Sequence, residues 1–99
     1  MATQVRFDGR TTSVSQTVYT VGSDDEILQI NWYLENLSGS VNQEISYTDA
    51  NGIKRNFPSS DDYAFTVKAV AGSTVDLALT VGVSTSFNYY LVITSLWVL

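Results

Sequence analysis

Apolar and polar positions alternate along most of this chain with a period of two. Val41, Gln43, Ile45 and Tyr47 interleave with Asn42, Glu44, Ser46 and Thr48. Tyr63, Phe65, Val67 and Ala69 interleave with Ala64, Thr66, Lys68 and Val70, and Val75, Leu77, Leu79 and Val81 with Asp76, Ala78 and Thr80. Each pattern sends one set of side chains to one face of a strand, as a half-buried antiparallel sheet requires. Turn-forming residues at 21–25, 37–40, 51–52, 58–62, 71–73 and 82–86 separate the runs, and no helical periodicity of useful length interrupts them. The pattern predicts an all-β protein. Its fold class is a compact antiparallel β-sandwich or jelly-roll-like domain of about 7–8 short strands, covering residues 13–99. Residues 1–12 are weakly patterned and read as an N-terminal arm, either flexible or docking, with a fraying terminus as the plainer account.

Two segments are apolar on both faces. In "ILQINWYLE" (27–35), Ile27, Gln29, Asn31 and Tyr33 oppose Leu28, Ile30, Trp32 and Leu34. In "FNYYLVITSLWVL" (87–99), Phe87, Tyr89, Leu91, Ile93 and Trp97 oppose Tyr90, Val92, Leu96 and Val98. A two-layer sandwich of this size has no third layer to cover the outer face of such strands. A second copy of the chain is the expected cover. Trp32, Leu34, Tyr90, Val92, Leu96 and Trp97 are the candidate oligomer interface, since aromatic anchors carry most of an interface's energy.

The stretch "ISYTDANGIKRNF" (45–57) poses a question of chemistry, because Asp49, Asn51 and Gly52 are residues of calcium loops as well as of turns. Aligning Gly52 with the glycine of an EF-hand loop puts Tyr47 at the first ligand position and Pro58 at the twelfth, and neither supplies a carboxylate. The hairpin reading accounts for the same residues. Asn-Gly accepts positive φ at both central positions of a type I′ turn, and alternating runs flank it. The clusters "SDDE" (23–26) and "SSDDY" (59–63) read as solvated loops or as carboxylates capping backbone amides, so no metal site and no cofactor is expected. "NLS" at 36–38 is a formal glycosylation sequon without a secretory context.

Composition narrows the function further. The 99 residues contain no His and no Cys. Nucleophilic sites of the Ser-His-Asp and Cys-His kinds are therefore excluded, as are disulfides and thiolate metal sites. Five basic residues against ten acidic ones give a net charge of −5, which opposes binding to nucleic acid or anionic membrane. The N-terminus lacks the apolar run of a signal peptide. The uncharged stretch from 77 to 99 is broken too often by Gly, Ser, Thr and Asn to span a membrane as a helix.

The order of parts resembles a small β-module of tailed-phage virion proteins. It begins with a Tyr-Thr-Val entry at 19–21 and an aliphatic-aromatic strand ending near Tyr33 and Glu35. A Tyr-Thr-Asp-x-Asn-Gly hairpin at 47–52, a Val-Lys-Ala-x-Ala-Gly-Ser stretch from Val67 and a Tyr-rich final strand follow. The resemblance covers about residues 19–99. It departs from the pattern at Gly22 and at the acidic turn 24–26. It departs again at the ending "SLWVL", which predicts a buried C-terminus.

The resemblance implies a non-enzymatic virion structural protein that assembles as a homotrimer, most simply a capsid decoration protein bound to the major capsid protein. Arg6, Phe7 and Arg10 are then candidate capsid-docking residues, and a chain of this length opening on Met is expected to stand alone. The alternative is a receptor- or carbohydrate-binding tip domain of a phage fibre, its six Tyr and two Trp offering stacking platforms for a carbohydrate partner.

Overall fold

The protein is described by a computed structural model covering residues 2–57 and 62–99, with side chains except those of Ala2, Asp62 and Tyr63. The expected turn at 58–62 and most of the acidic cluster at 59–63 lie outside the described residues. The described chain forms eight strands: β1 (Ala2–Arg10), β2 (Val14–Thr20), β3 (Glu26–Ser38), β4 (Val41–Thr48), β5 (Lys54–Phe57), β6 (Asp62–Ala69), β7 (Thr74–Val81) and β8 (Ser86–Val98). They make two four-stranded antiparallel sheets, ordered β1-β8-β3-β6 and β2-β7-β4-β5. The nested pairs β1–β8, β2–β7, β3–β6 and β4–β5 are those of one long hairpin bent over itself.

Alternation places the core as expected. Leu28, Ile30, Trp32 and Leu34 of β3 face inward, as do Phe87, Tyr89, Leu91 and Ile93 of β8. Val75, Leu77 and Leu79 of β7 and Ile45 of β4 close on them from the second sheet. The strands suit their places because β-branched and aromatic side chains pack well on a pleated surface. An aromatic cluster seals the flank where the sheets meet. Phe57 of β5 stacks on Phe65 of β6 with ring centroids 4.0 Å apart, and Trp32 lies 6.2 Å from Phe57. Tyr47 stacks on Phe57 at 5.4 Å.

Trp32 and Leu34, expected at an interface between copies, are therefore interior residues, only 4% and 5% exposed. The reason is parity: they share the inward phase of Leu28 and Ile30, and the outward phase of β3 belongs to Ile27, Gln29, Asn31 and Tyr33.

The segment expected as an arm is an edge strand from Ala2 to Arg10. It runs antiparallel to β8, with Val5 opposite Leu91 and Arg6 opposite Tyr90. Its weak alternation fits that edge, since Val5 and Phe7 pack on the core while Gln4, Arg6 and Asp8 are exposed.

The hairpin at Asn51 and Gly52 forms, but around a different turn. Only Gly52 has positive φ, at 79°. Its N–H donates to Asp49 O at 2.9 Å, and Asp49 N–H donates to Ile53 O at 2.9 Å, giving a three-residue loop rather than a type I′ turn. The Asp49 side chain selects this form, because Oδ1 accepts from the Asn51 and Ile53 N–H groups at 2.9 and 3.0 Å. Oδ2 accepts from Arg55 Nε at 2.9 Å. Arg55 and these amides hold the Asp49 carboxyl below the ordinary carboxylate range.

Truncation tests the core assignment. Ile93 is fully buried and pairs with Ile30 across the central ladder. Ile93→Ala should cost about 2–5 kcal/mol in urea unfolding, whereas Val83→Ala in the exposed β7–β8 loop should change stability by no more than about 0.5 kcal/mol.

Candidate functional site

The outer face of the first sheet carries the outward-phase side chains of β1, β8, β3 and β6 in cross-strand rows. In one row Arg6, Tyr90 and Tyr33 are in register. In the next, Gln4, Val92, Asn31 and Ala64 are in register. Tyr33 is 47% exposed and Tyr90 37%. Arg6, Asp8, Tyr33, Glu35, Asn88 and Tyr90 line a shallow groove of about 320 Å³ over this part of the face. Its polar groups are braced: Gly9 N–H donates to Asn88 Oδ1 at 2.8 Å, and Asn88 Nδ2 donates to Glu35 Oε1 at 2.8 Å. Arg6 Nε lies 3.2 Å from the Asp8 carboxylate in an exposed ion pair.

Farther along β8 a register shift changes the surface. Ser95 pairs with Leu28 but Trp97 pairs with Ile27, leaving Leu96 as an extra residue in β8. An extra residue reverses the phase of everything after it. Trp97, which strict alternation groups with the core residues Phe87 to Ile93, is thereby turned to the outer face beside Ile27. Leu96, Trp97, Val98 and Leu99 are all exposed, Trp97 and Val98 by 64% and 65%. The C-terminus expected to be buried is thus surface within the single chain. Leu99 N–H is nevertheless tied to Asp25 O at 2.8 Å.

Beneath this apolar end lies a buried carboxylate that sequence reading counted among loop acids. Glu26 begins β3 and is 5% exposed. Oε1 accepts from the Tyr19 hydroxyl at 2.5 Å and from Ser95 Oγ at 2.8 Å, and Oε2 accepts from Gly22 N–H at 2.9 Å. The Tyr19 and Gly22 bonds, with a smaller part from Ser95, hold its carboxyl below the ordinary value of 4.5 against the opposing effect of burial. Burial and the Glu26 charge push the Tyr19 phenol up. Asp25 Oδ1 accepts from Ala71 N–H at 2.9 Å, so this acidic turn ties β2, the β6–β7 loop and β8 together just before the apolar end. The only sequence signal was its position directly before an alternating apolar run.

The candidate docking residues have mostly internal work. Phe7 stacks on Tyr89 at 6.5 Å, and the Arg10 guanidinium sits 4.7 Å over the Phe7 ring. Arg10 also donates to Thr12 O and Ser13 O at 3.1 and 3.2 Å. Of the three, Arg6 alone presents its side chain outward, in the tyrosine row. Burial pushes the Tyr89 phenol well above its ordinary value, and among the described residues its hydroxyl has no hydrogen-bond partner. The outer face of the second sheet is polar. Thr17, Glu44, Ser46, Lys54 and Asp76 line a groove there, with Thr17 Oγ1 donating to Asp76 Oδ1 at 2.7 Å. Among the described residues no helix is long and apolar enough to cross a membrane.

No family model matches the chain, and no curated protein matches it. In fold it is similar to a chain of the cyanophage Pam1 capsid asymmetric unit, at 14% identity and a TM-score of 0.46, covering 93% of this chain and 79% of that one. It is similar also to a chain of the Bacillus endospore appendages, a family of disulfide-linked pili, at 15% identity and a TM-score of 0.32, covering 98% and 92%. Neither likeness is close enough to carry a function to this chain.

Glu26 yields a pH prediction. Its pKa is lower folded than unfolded, so its contribution is complete above the unfolded value and is lost as pH falls through the folded one. Wild-type stability in urea should decline on acidification below about pH 5, and Glu26→Gln should flatten that decline. At neutral pH the same variant should lose about 1.5–3 kcal/mol, the scale of hydrogen bonds to a charged group.

Proposed function

We propose that this chain is a non-enzymatic structural protein of a bacteriophage virion: a jelly-roll capsid decoration protein that acts as a homotrimer on the major capsid protein. Its main support is the apolar surface at the end of β8, where Leu96, Trp97, Val98 and Leu99 lie exposed beside Ile27. Contiguous exposed apolar surface on a small domain marks an interaction site. The bulge at Leu96 and the Glu26 anchor hold that surface in place, as an assembly interface needs. The order of sequence elements supplies the virion context, and the absence of His and Cys removes the commonest catalytic groups.

Trp97 is the proposed anchor of the contact between copies. Tyr90 and Val92 lie farther along the outer face, outside the apolar end.

Sedimentation equilibrium over a range of concentrations tests self-association. A concentration-independent trimer is expected, and Trp97→Ala should weaken it by about 2 kcal/mol or more. A strictly monomeric wild type overturns the assembly reading. Saturable binding to undecorated capsids separates decoration from other virion roles, and capsids that take up none of the protein would refute the decoration assignment.

A further inference from the structure

The row of tyrosines on the outer face lies apart from the apolar end of β8. Tyr33 and Tyr90 stand directly opposite each other on neighbouring strands, in the middle of a sheet rather than at its apolar end. Tyr90 and Trp97 are separated by on the order of 20 Å at ~3.3 Å per strand residue. Burying two half-exposed rings in the chain's own core was open to this sequence only by a change of phase, and the flanking rows forbid it. The rings project outward because Trp32, Leu34, Tyr89 and Leu91 hold the inward positions beside them.

The surroundings of these rings are polar and planar. Arg6 and Asp8 flank them on β1, and Glu35 and Asn88 close the end of the groove. A surface meant to bury another protein is depleted of charge at its centre, with aromatic and aliphatic side chains together. Here two phenol rings are framed by a guanidinium, two carboxylates and an amide. Asn88 accepts from Gly9 and donates to Glu35, so it fixes Glu35 Oε1 and leaves the other carboxylate oxygen as an acceptor. Arg6 engages Asp8 through Nε and leaves its terminal nitrogens as donors.

From this arrangement we infer that the groove binds a neutral oligosaccharide. Directly opposed cross-strand side chains stand ~5 Å apart, on the order of the length of one sugar ring in a chain. The C–H face of a pyranose is apolar and slightly positive, matching the negative face of an aromatic ring. Its hydroxyls are both donors and acceptors, matching the Asp8 and Glu35 carboxylates as acceptors and the Arg6 guanidinium as donor. Consecutive sugars would lie over Tyr90 and Tyr33 along the row that ends at Arg6, with one hydroxyl edge toward Asp8, Asn88 and Glu35 in the next row. The site is independent of the virion assignment, because it uses none of the residues at the apolar end of β8.

The test is titration of the isotopically labelled full chain with cellohexaose, chitohexaose and maltohexaose, followed by amide chemical shifts. At least one of these should bind saturably, with shifts confined to β1, β3 and β8 around Arg6, Tyr33 and Tyr90. Tyr33→Ala and Tyr90→Ala should each weaken binding by about tenfold or more while leaving the remaining spectrum folded. Glu35→Gln should weaken it less, and Trp97→Ala should leave it unchanged. Absence of binding to all three sugars overturns the inference. So does binding that survives the double tyrosine variant, or a tyrosine variant that abolishes self-association instead, which would make this face a contact between copies.

Discussion

The antiparallel ladder between β3 and β8 is the constraint on which everything else in this protein depends. These strands are the two longest, and they occupy the middle of the first sheet with β6 and β1 on their flanks. Their register sets which side chains enter the core. Leu28, Ile30, Trp32 and Leu34 face inward together with Phe87, Tyr89, Leu91 and Ile93. A shift of one residue in either strand would send a full apolar set into solvent, so the ladder is held by burial as much as by its hydrogen bonds. The remaining strands are arranged to cover this pair and to close its flanks, the aromatic cluster of Trp32, Phe57 and Phe65 being the closure on one side.

The same ladder generates both outer surfaces. Strict alternation over its middle produces the Tyr33 and Tyr90 row, where inward positions are already filled. The extra residue at Leu96 ends that alternation and swings Trp97 outward. Glu26 lies where this change occurs and ties β2, the turn after it and Ser95 together through one carboxylate. A charged group placed there resists drift of the bulge, because moving it would strand a desolvated charge. Stability and surface display therefore meet at one residue.

Much of this was legible in the chain itself. The strands around Ile45, Val67 and Leu77 followed from alternation, because each has one wet and one dry face. The hairpin at Asn51 and Gly52 followed from turn chemistry, although the loop formed was longer than the type I′ form. The cause was Asp49, whose side chain competes for the amides of Asn51 and Ile53 and thereby chooses the loop. Strand β1 was harder to see, since its apolar positions Val5 and Phe7 are few and Gly9 interrupts them. Its place came from the free edge of β8, which no local pattern in residues 2–10 can announce. The assignment of Trp32 and Leu34 to an interface failed for a related reason. When a strand is apolar on both faces, its own composition does not say which face is inside.

By itself the sequence determined that this is an antiparallel all-β domain, where most of its strands and turns fall, and that neither histidine nor thiolate takes part in its chemistry. These are local consequences of alternation, turn residues and composition. Tertiary structure alone decided which face of β3 and β8 points inward, that residues 2–10 complete a sheet, and that Trp97 is displayed while Tyr89 is buried. Each of those depends on pairing between segments far apart in the chain. One unpaired residue at Leu96 is enough to reverse the side on which every later side chain stands.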